Sequence, residues 1–571
     1  MPRDDTGNDR ERSAEKIPNS ERLVQLGQAV DRRSSGAPTR RVRSRRRKWV
    51  QRTVIALGLV VVLIVGAVVG DYYYLGSLIH HKNVTGLQNP GATENILMIG
   101  STTRCGLKVQ NIAYGLCSQG VTGVNSDIDM ILHLDPSTGT VSLLSIPRDL
   151  FVPNARIEGA NKIDAALYQG PSQLVAAIEE DFAIPINHYV ELNFDTFASV
   201  VNALGGVYMD FPIPIFDQYS GLNIERPGCY LLDGVKALEL VRARHLQIQP
   251  TPSNHDPRSW PQEALSDLAR IRRTHEFLRV LAAKVAARGL GNPITDQSIA
   301  TAVLPDLTVD NGFSEGSMVD LAETFAHTNI ANVLQYTFPV LEVETGTYLY
   351  QGYYYGDIEF PVQPTGVNSV NQILGVAAGT NSFTDQPLPA PSSFPISIEN
   401  GTGVASQAAT VARGLTALGF KIKSTGDVTP VGPVSDTVVW YGGPKPPTSG
   451  NWISPAQAAA QAVLAQLQGP AILGYDPKNV TPGALVTVQT GTDLSVKAKA
   501  VATKKPPTKT TSTISAVTTT TIYDPPGVKT NSQFSAPSPV SAALAPWDPR
   551  ACNAANTGPA VAATTTTTKA K

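Results

Sequence analysis

Arginine offers most of the chemistry in this chain. Arg242 and Arg244 close a helical pattern that starts at Gly234, and Arg270, Arg272 and Arg273 sit early in a longer one from Glu263 to Ala287. A guanidinium binds phosphate oxygens through paired hydrogen bonds, so two arginine pairs brought together make a site for a doubly or triply charged anion. Residues two apart on a helix face different ways, so Arg242 and Arg244 share a target only if the helix ends there. Pro250, Pro252 and Pro257 predict such an ending. Arg270 and Arg273 are three apart and share a face. The same spacing fits plain ion pairs with Asp and Glu of neighbouring helices, and spacing does not separate the two readings. Taken alone, Asp127 reads as a turn or cap residue and Arg148–Asp149 as a surface ion pair. His133 and His245 have no nucleophile to pair with and read as structural.

The elements that must hold these residues alternate in pattern. Asn95–Gly100 is a short apolar run ending in glycine, which predicts a buried strand. Asp129–Leu134 and Thr140–Ile146 flank the turn Asp135–Gly139 and predict a hairpin, with Arg148 just past its second strand. Ser172–Phe182 and Thr196–Leu204 read as amphipathic helices, the second stopped by Gly205–Gly206. His188–Asn193 and Val207–Phe211 read as strands, Ser317–His327 as a helix and Asn332–Val340 as a strand. This alternation, with a hairpin inside it, predicts a three-layer α/β/α domain around a mixed sheet over residues 91–375. A Pro-, Ser- and Gly-rich linker at 376–392 leads to a smaller α/β unit at 393–496, with a strand running into a glycine turn over Phe394–Gly403, strands at Phe420–Ser424, Thr437–Tyr441 and Ala484–Gln489 and helices at Ala405–Leu418 and Pro455–Leu467. From 497 to 571 the chain turns to Thr, Lys, Pro and Ala, with no apolar pattern to drive folding, which predicts a disordered tail.

Bulk charge identifies no partner, because 46 Lys and Arg nearly balance 47 Asp and Glu. The distribution of charge is more telling. Residues 1–48 are polar, read as a disordered cytoplasmic tail, and end in a basic run from Arg40 to Lys48. Thr53–Gly70 follows without a single charge, and Tyr72, Tyr73 and Tyr74 come next, as interfacial aromatics would. This predicts one transmembrane anchor within 49–75, with the N-terminus cytoplasmic and the later domains extracellular. A cleaved signal peptide is the competing reading, but no small-x-small cleavage site precedes the tyrosines. Beside such a segment the basic run reads as topogenic, not as a nucleic-acid patch, so nucleic acid is not an expected partner. In an exported chain the four cysteines are disulfide candidates. Cys105 and Cys117 share one loop and are the expected pair. Cys229 and Cys552 are too far apart in sequence to assign, and no Cys/His group has zinc spacing.

The motif order resembles the LytR-CpsA-Psr family of membrane-anchored wall glycopolymer transferases. The resemblance starts at Ile96-Leu-Met-Ile-Gly-Ser101 and runs through Asn125-Ser-Asp127, Leu144-Ser-Ile-Pro-Arg-Asp149, Asn161-Lys-Ile-Asp164, Ile186-Asn-His-Tyr-Val190 and Leu204-Gly-Gly-Val207. It ends with Val241-Arg-Ala-Arg-His245 and Asp267-Leu-Ala-Arg-Ile-Arg-Arg273. The smaller unit is similar to the C-terminal domain often appended to such proteins, through Glu399-Asn-Gly-Thr-Gly403 and Gly419-Phe420. The resemblance implies transfer of a glycan from a polyprenyl-pyrophosphate carrier to peptidoglycan, outside the membrane, with the lipid tail in an apolar channel. It implies that Arg148, Arg242, Arg244, Arg270 and Arg273 hold the pyrophosphate. It further implies that Asp127 and Thr102 coordinate Mg²⁺, and that Asp127, Arg148 and Arg104 take part in catalysis. Fixed cations around a developing phosphate charge lower the barrier to its departure.

This chain departs from the family pattern in three places. Asn125 stands where an arginine is usual and cannot supply its charge. Thr102 stands where an aspartate is usual, which removes one carboxylate from the metal set. Thr274 replaces a common glutamine. Asp129 and Arg104 are the residues near enough in sequence to compensate. The alternative reading is therefore a lipid-pyrophosphate- or wall-binding protein of the same fold with impaired turnover. Transcriptional regulation, an older label for such chains, disagrees with the expected topology.

Overall fold

The computed structural model describes residues 74–498 and 543–552, apart from 106, 108–115, 265, 289–296, 298–299, 326–327, 329–331, 344–347, 430–435 and 444–453. The expected anchor at Thr53–Gly70 and the tail 1–48 lie outside these residues. Among the described residues no helix is long and apolar enough to cross a membrane.

The first sheet has seven strands. They are β1 (His80–Lys82), β2 (Glu94–Ser101), β3 (Ser126–Asp135), β4 (Thr140–Ile146), β5 (His188–Leu192), and two later ones at Thr308–Asp310 and Leu334–Thr337. β2, β3 and β4 form an antiparallel meander at the centre, β5 runs parallel to β2, and the Leu334–Thr337 strand runs parallel to β4. The sheet is mixed, as expected. β1 joins it through the Thr308–Asp310 strand, so the fold begins ahead of residue 91.

Alternation along β2 explains why both faces are covered. Leu97 and Ile99 point into one core with Ile131, Leu144 and Ile146, against Leu174, Val175 and Ile178 of α1 (Pro171–Phe182). Ile96 and Met98 point the other way, against Val309, Phe313, Met318 and Leu321. Burying each such side chain contributes roughly 1.5–3 kcal/mol.

A third apolar layer gathers α2 (Phe194–Ala203), β6 (Val207–Phe211), β7 (Gly228–Leu232), α3 (Gly234–Arg242) and part of α4 (Ser266–Arg288). Asn193 caps α2 by accepting the Thr196 N–H at 2.9 Å, and Asp233 caps α3 by accepting from Lys236 at 2.9 Å. Each such cap is worth about 1 kcal/mol. α2 and α3 touch at Gly234, where a Cβ would lie 2.3 Å from the Ala198 carbonyl oxygen. Only glycine permits this approach, which places the C-terminal end of α3, and Arg242 with it, over α2.

The smaller unit does not stand apart. An eight-stranded sheet runs through β8 (Val340–Val343), β9 (Ile358–Gln363), the Leu467–Tyr475 strand, Thr437–Tyr441, Val486–Thr490, Pro395–Asn400 and Lys421–Asp427, with Ser495–Val496 also pairing Leu467–Tyr475. β9 pairs with β8 on one side and with Leu467–Tyr475 on the other, so one strand is shared between the two units. Asn154 and Tyr475 exchange two 2.8 Å hydrogen bonds, and the Tyr441 hydroxyl donates to the Glu180 carbonyl at 3.0 Å.

Two sequence expectations need correction here. The helix expected over Pro455–Leu467 stops at Leu464, and a central strand starts at Leu467. Gly469 and Pro470 break the apolar run that would reveal the strand. Gly469 sits at φ 96°, where a Cβ would lie 2.0 Å from the Asp493 carbonyl. The tail beyond 497 is not wholly without structure either. Arg550–Ala551 adds a strand to β6, and Cys552 forms a disulfide with Cys229 on β7. Cys105 and Cys117 are bridged as expected.

Candidate functional site

The residues of interest converge where β2 and β4 end and β3 begins. Opposite Ser101 and Gly100, β3 supplies Ser126 and Ile128, which leaves Asp127 as the extra residue of a bulge. A bulge re-aims the side chain it carries. Asp127 thereby meets Arg148, which leaves the end of β4 in the Pro147–Leu150 turn. Asp129 does not join it. Asp129 is fully buried, accepts from the Ser126 hydroxyl at 2.9 Å, and is pushed up to about 7 by burial.

A ring of alternating charge closes around Arg148. Arg148 Nη1 donates to Asp127 Oδ1, Nη2 lies 3.0 Å from Asp164 Oδ2, and Nε lies 3.9 Å from Asp149 Oδ1. Asp149 also accepts from Arg244 and, at 2.7 Å, from Lys162 Nζ. Arg244 Nε lies 3.2 Å from Asp267 Oδ1, and Arg270 Nη2 lies 2.9 Å from the same oxygen. Arg270 Nη1 then donates to the Asp127 carbonyl at 2.5 Å, which completes the circuit. Burial opposes the Arg148 charge, but Asp127, Asp164 and Asp149 outweigh it and hold its pKa above the ordinary guanidinium value. Burial also opposes ionisation of Asp149, yet Arg244, Arg148 and Lys162 hold it below the usual carboxylate range. Asp164 is raised to about 6 by burial. Glu359 of β9 hydrogen-bonds through its backbone N–H to the Asp149 carbonyl at 3.0 Å and is driven well above its usual pKa by burial, Asp267 and Asp149.

Two more arginines flank the ring of charge and stack on one aromatic side chain. α3 ends at Arg242, so Arg242 and Arg244 are released from helical geometry but take different partners. Arg242 lies 4.7 Å above the Phe194 ring and Arg104 lies 6.0 Å from it. Arg104 Nη1 donates to the Thr102 carbonyl at 2.9 Å, and burial lowers its pKa while Asp127 raises it. Phe194 opens the apolar layer that continues through Phe197, Leu238, Val241 and Phe277.

Arg273 departs from the expected role. It is fully buried, and its guanidinium binds Glu263 and the Ala243 carbonyl, with Asp548 3.7 Å away. It shares a helix face with Arg270 on paper, but the two reach different neighbours. His133 binds Asn95 and His245 packs on Tyr219, as structural histidines do. Thr274 hydroxyl donates to the Arg270 carbonyl at 2.9 Å. Sequence reading gave no role to Lys162, Asp164, Asp267 or Glu359, although the first three lie inside motifs already singled out. Only Glu359 carried a signal of its own, a carboxylate inside the apolar run Ile358–Val362.

Whether the donor set suits a divalent ion is decided residue by residue. Among the described residues no group of three Asp, Glu, His or Cys is arranged to hold a metal ion. The Thr102 hydroxyl accepts the Asn125 N–H at 2.9 Å. Asp127 is left as the protein carboxylate, its side chain 16% exposed. Mg²⁺ often keeps one or two carboxylates and takes its other ligands from substrate phosphates and water, which suits Asp127. Arg148, Lys162, Arg244 and Arg270, with Arg104 and Arg242 beside them, gather around Asp127, Asp149, Asp164 and Asp267, while burial pushes the pKa of neighbouring Asp129 and Glu359 up.

The chain matches known protein families and is similar to curated and solved proteins. The LytR_cpsA_psr family matches residues 77–359, and a second family, described as LytR cell envelope-related transcriptional attenuator, matches residues 393–494. The probable cell wall biosynthesis protein LcpB of Corynebacterium glutamicum is 33% identical over 262 residues, covering 45% of this chain and 57% of its own length. The polyisoprenyl-teichoic acid–peptidoglycan teichoic acid transferase TagV of Bacillus subtilis is 35% identical over 127 residues, 21% of this chain and 32% of that protein. The chain thus spans about half or less of the length of these two relatives. A solved LytR-Csp2A-Psr enzyme from Actinomyces oris superposes with a TM-score of 0.39 at 21% identity, covering 51% of this chain and 94% of that one. The ring residues from Asp127 to Arg270 all fall inside the first matched stretch, and the strand shared between units leads into the second. The chain belongs to the LytR-CpsA-Psr family and carries a LytR C-terminal domain.

Proposed function

We propose that this protein transfers a glycopolymer from a polyprenyl-pyrophosphate carrier to peptidoglycan, outside the membrane, tethered by the Thr53–Gly70 segment. The observation that carries this reading is the adjacency of the ring to the Phe194 layer: clustered cations beside apolar side chains suit a lipid diphosphate. Arg148, Arg244 and Arg270 would bind the pyrophosphate oxygens by exchanging carboxylate partners for phosphate. Arg242 and Arg104, over Phe194, would meet the head group where the lipid begins. When the acceptor hydroxyl displaces the lipid phosphate, charge grows on the leaving oxygen, and these fixed cations stabilise it without reorganising solvent. Mg²⁺, held by Asp127 and the substrate, would add Lewis-acid polarisation of the phosphoryl oxygens.

The full chain, supplied with a polyprenyl-pyrophosphate-linked glycan and peptidoglycan, is expected to release polyprenyl phosphate and label the wall. Arg242→Ala should reduce that rate at least ~10-fold, about 1.4 kcal/mol, by removing a charge-assisted contact. No transfer by the wild-type chain, with the carrier still bound, would instead support the second reading, a binding protein without turnover. Asn125 favours that second reading: its amide donates to Asp164 at 3.2 Å and brings no charge.

Binding should weaken as pH rises. Asp164 and Asp129, raised to about 6 and about 7, are neutral below those values and add negative charge beside Arg148 and Arg270 above them. A P¹,P²-diester of pyrophosphate keeps constant charge from pH 5.5 to 8, so any change reports the protein. Its affinity, measured calorimetrically, is expected to fall ~10-fold over that range, and Asp129→Asn should flatten the upper half of the curve.

A further inference from the structure

We propose that Asp548 is a positioning residue: a C-terminal strap, residues 543–552, fixes the first turns of α4 so that Arg270 and Asp267 stay in register with Asp127 and Arg244. This rests on the reading of the ring as the pyrophosphate site. The strap lies beyond the LytR C-terminal domain in sequence and is held at five points. Asp548 is completely buried and accepts from Arg272 Nε at 2.5 Å, and Arg273 lies 3.7 Å from its other oxygen. Trp547 Nε1 donates to Glu263 Oε1 at 2.7 Å, the carboxylate that also binds Arg272 and Arg273. The Ala551 N–H donates to Glu276 Oε1 at 3.2 Å, one turn further along α4. Arg550 and Ala551 pair with Asp210 and Met209 of β6, and Cys552 is bonded to Cys229 on the neighbouring strand β7.

The geometry makes this more than a surface contact. Arg272 and Arg273 follow Arg270 directly, so the strap grips α4 beside the residue that closes the ring. Arg273 also reaches the Ala243 carbonyl at 2.7 Å, between Arg242 and Arg244. A carboxylate sealed from water against two guanidiniums has one low-energy placement, because an unpaired charge there is costly. Asp548 therefore ties the end of α3 and the start of α4, which carry Arg242, Arg244 and Arg270 into the site, to a segment outside both matched stretches. Misplacing a binding group by about 1 Å is enough to cost up to ~100-fold in a positioned reaction.

The test compares the full chain with Asp548→Asn, Asp548→Glu and the double variant Cys229→Ser/Cys552→Ser. Hydrogen exchange without ligand reads the strap alone. Amides of Asp267–His275 should lose protection in Asp548→Asn and in the cysteine variant, while those of α1 do not change. Affinity for a P¹,P²-diester pyrophosphate, per folded molecule, should fall ~10-fold in Asp548→Asn and recover in part in Asp548→Glu. In transfer, kcat should fall more than KM rises. Unchanged exchange in α4, or affinity and kcat equal to wild type despite a lowered melting temperature, would overturn the proposal. If the wild-type chain binds no such diester while α4 exchange still responds to Asp548→Asn, the strap stands and the pyrophosphate reading falls.

Discussion

Arg148→Ala is expected to reduce affinity for a pyrophosphate diester at least ~100-fold, about 2.7 kcal/mol. Arg148 is the only side chain of the ring that faces Asp127, Asp149 and Asp164 together, within 4.0 Å of each. Removing it takes away a bidentate phosphate ligand and leaves those carboxylates to repel the incoming anion. Truncating one partner of a buried ion pair costs roughly 3–5 kcal/mol when the other stays charged. Here part of that cost is avoidable, because Asp164 already sits at about 6 and can take up a proton once Arg148 is gone. The melting temperature should therefore fall less than the binding energy implies, and the loss should shrink below pH 6. Arg148→Lys keeps the charge but not the fork, and should recover less than a tenth of the affinity. Titration calorimetry at pH 5.5 and 7.5 checks both. Binding within threefold of wild type in Arg148→Ala would remove this residue from the anion site.

Much of this arrangement was legible before any coordinates. The hairpin from Asp129 to Ile146, the helices at 172–182 and 196–204, and the ending of α3 near Arg242 follow from periodicity, turn residues and prolines. These are local signals, and they set where Arg148, Arg242 and Arg244 leave their elements. What was not legible depends on long-range pairing. The bulge at Asp127 exists only relative to β2, so strand alternation alone misplaces Asp129. Arg273 and Arg270 occupy one face, yet Glu263 and Asp548 capture the first while Asp127 and Asp267 hold the second. No spacing rule contains Asp548, which lies 276 residues from Arg272. The Leu467–Tyr475 strand was hidden for a different reason. Glycine and proline normally exclude a central strand, and here Gly469 is required by the Asp493 carbonyl beside it.

The alternating ring makes an opposite prediction for its carboxylates. Asp149→Asn is expected to tighten diester binding ~10-fold, about 1.4 kcal/mol, while slowing transfer. Asp149 is almost wholly buried and neutralises Arg244 and Lys162, with Arg148 3.9 Å away, so it competes with any phosphate for the same cations. Removing its charge frees them for the ligand. The salt dependence of binding should steepen accordingly, as screening acts on more uncompensated charge. The fold should suffer, by roughly 3 kcal/mol, since three cations lose their shared counter-ion. The sign of the pH dependence follows from the depressed pKa. Asp149 contributes stability above its ordinary value of 3.8, and that contribution disappears as pH falls through the lower folded value. The melting temperatures of wild type and Asp149→Asn should therefore differ at pH 7 and converge as pH drops below about 4. Slower transfer with tighter binding would show that the ring's carboxylates keep the arginines in place for departure of the lipid phosphate, at the expense of ground-state affinity. Weaker binding with an intact fold would instead place Asp149 in direct contact with the ligand, as an acceptor for one of its hydroxyls.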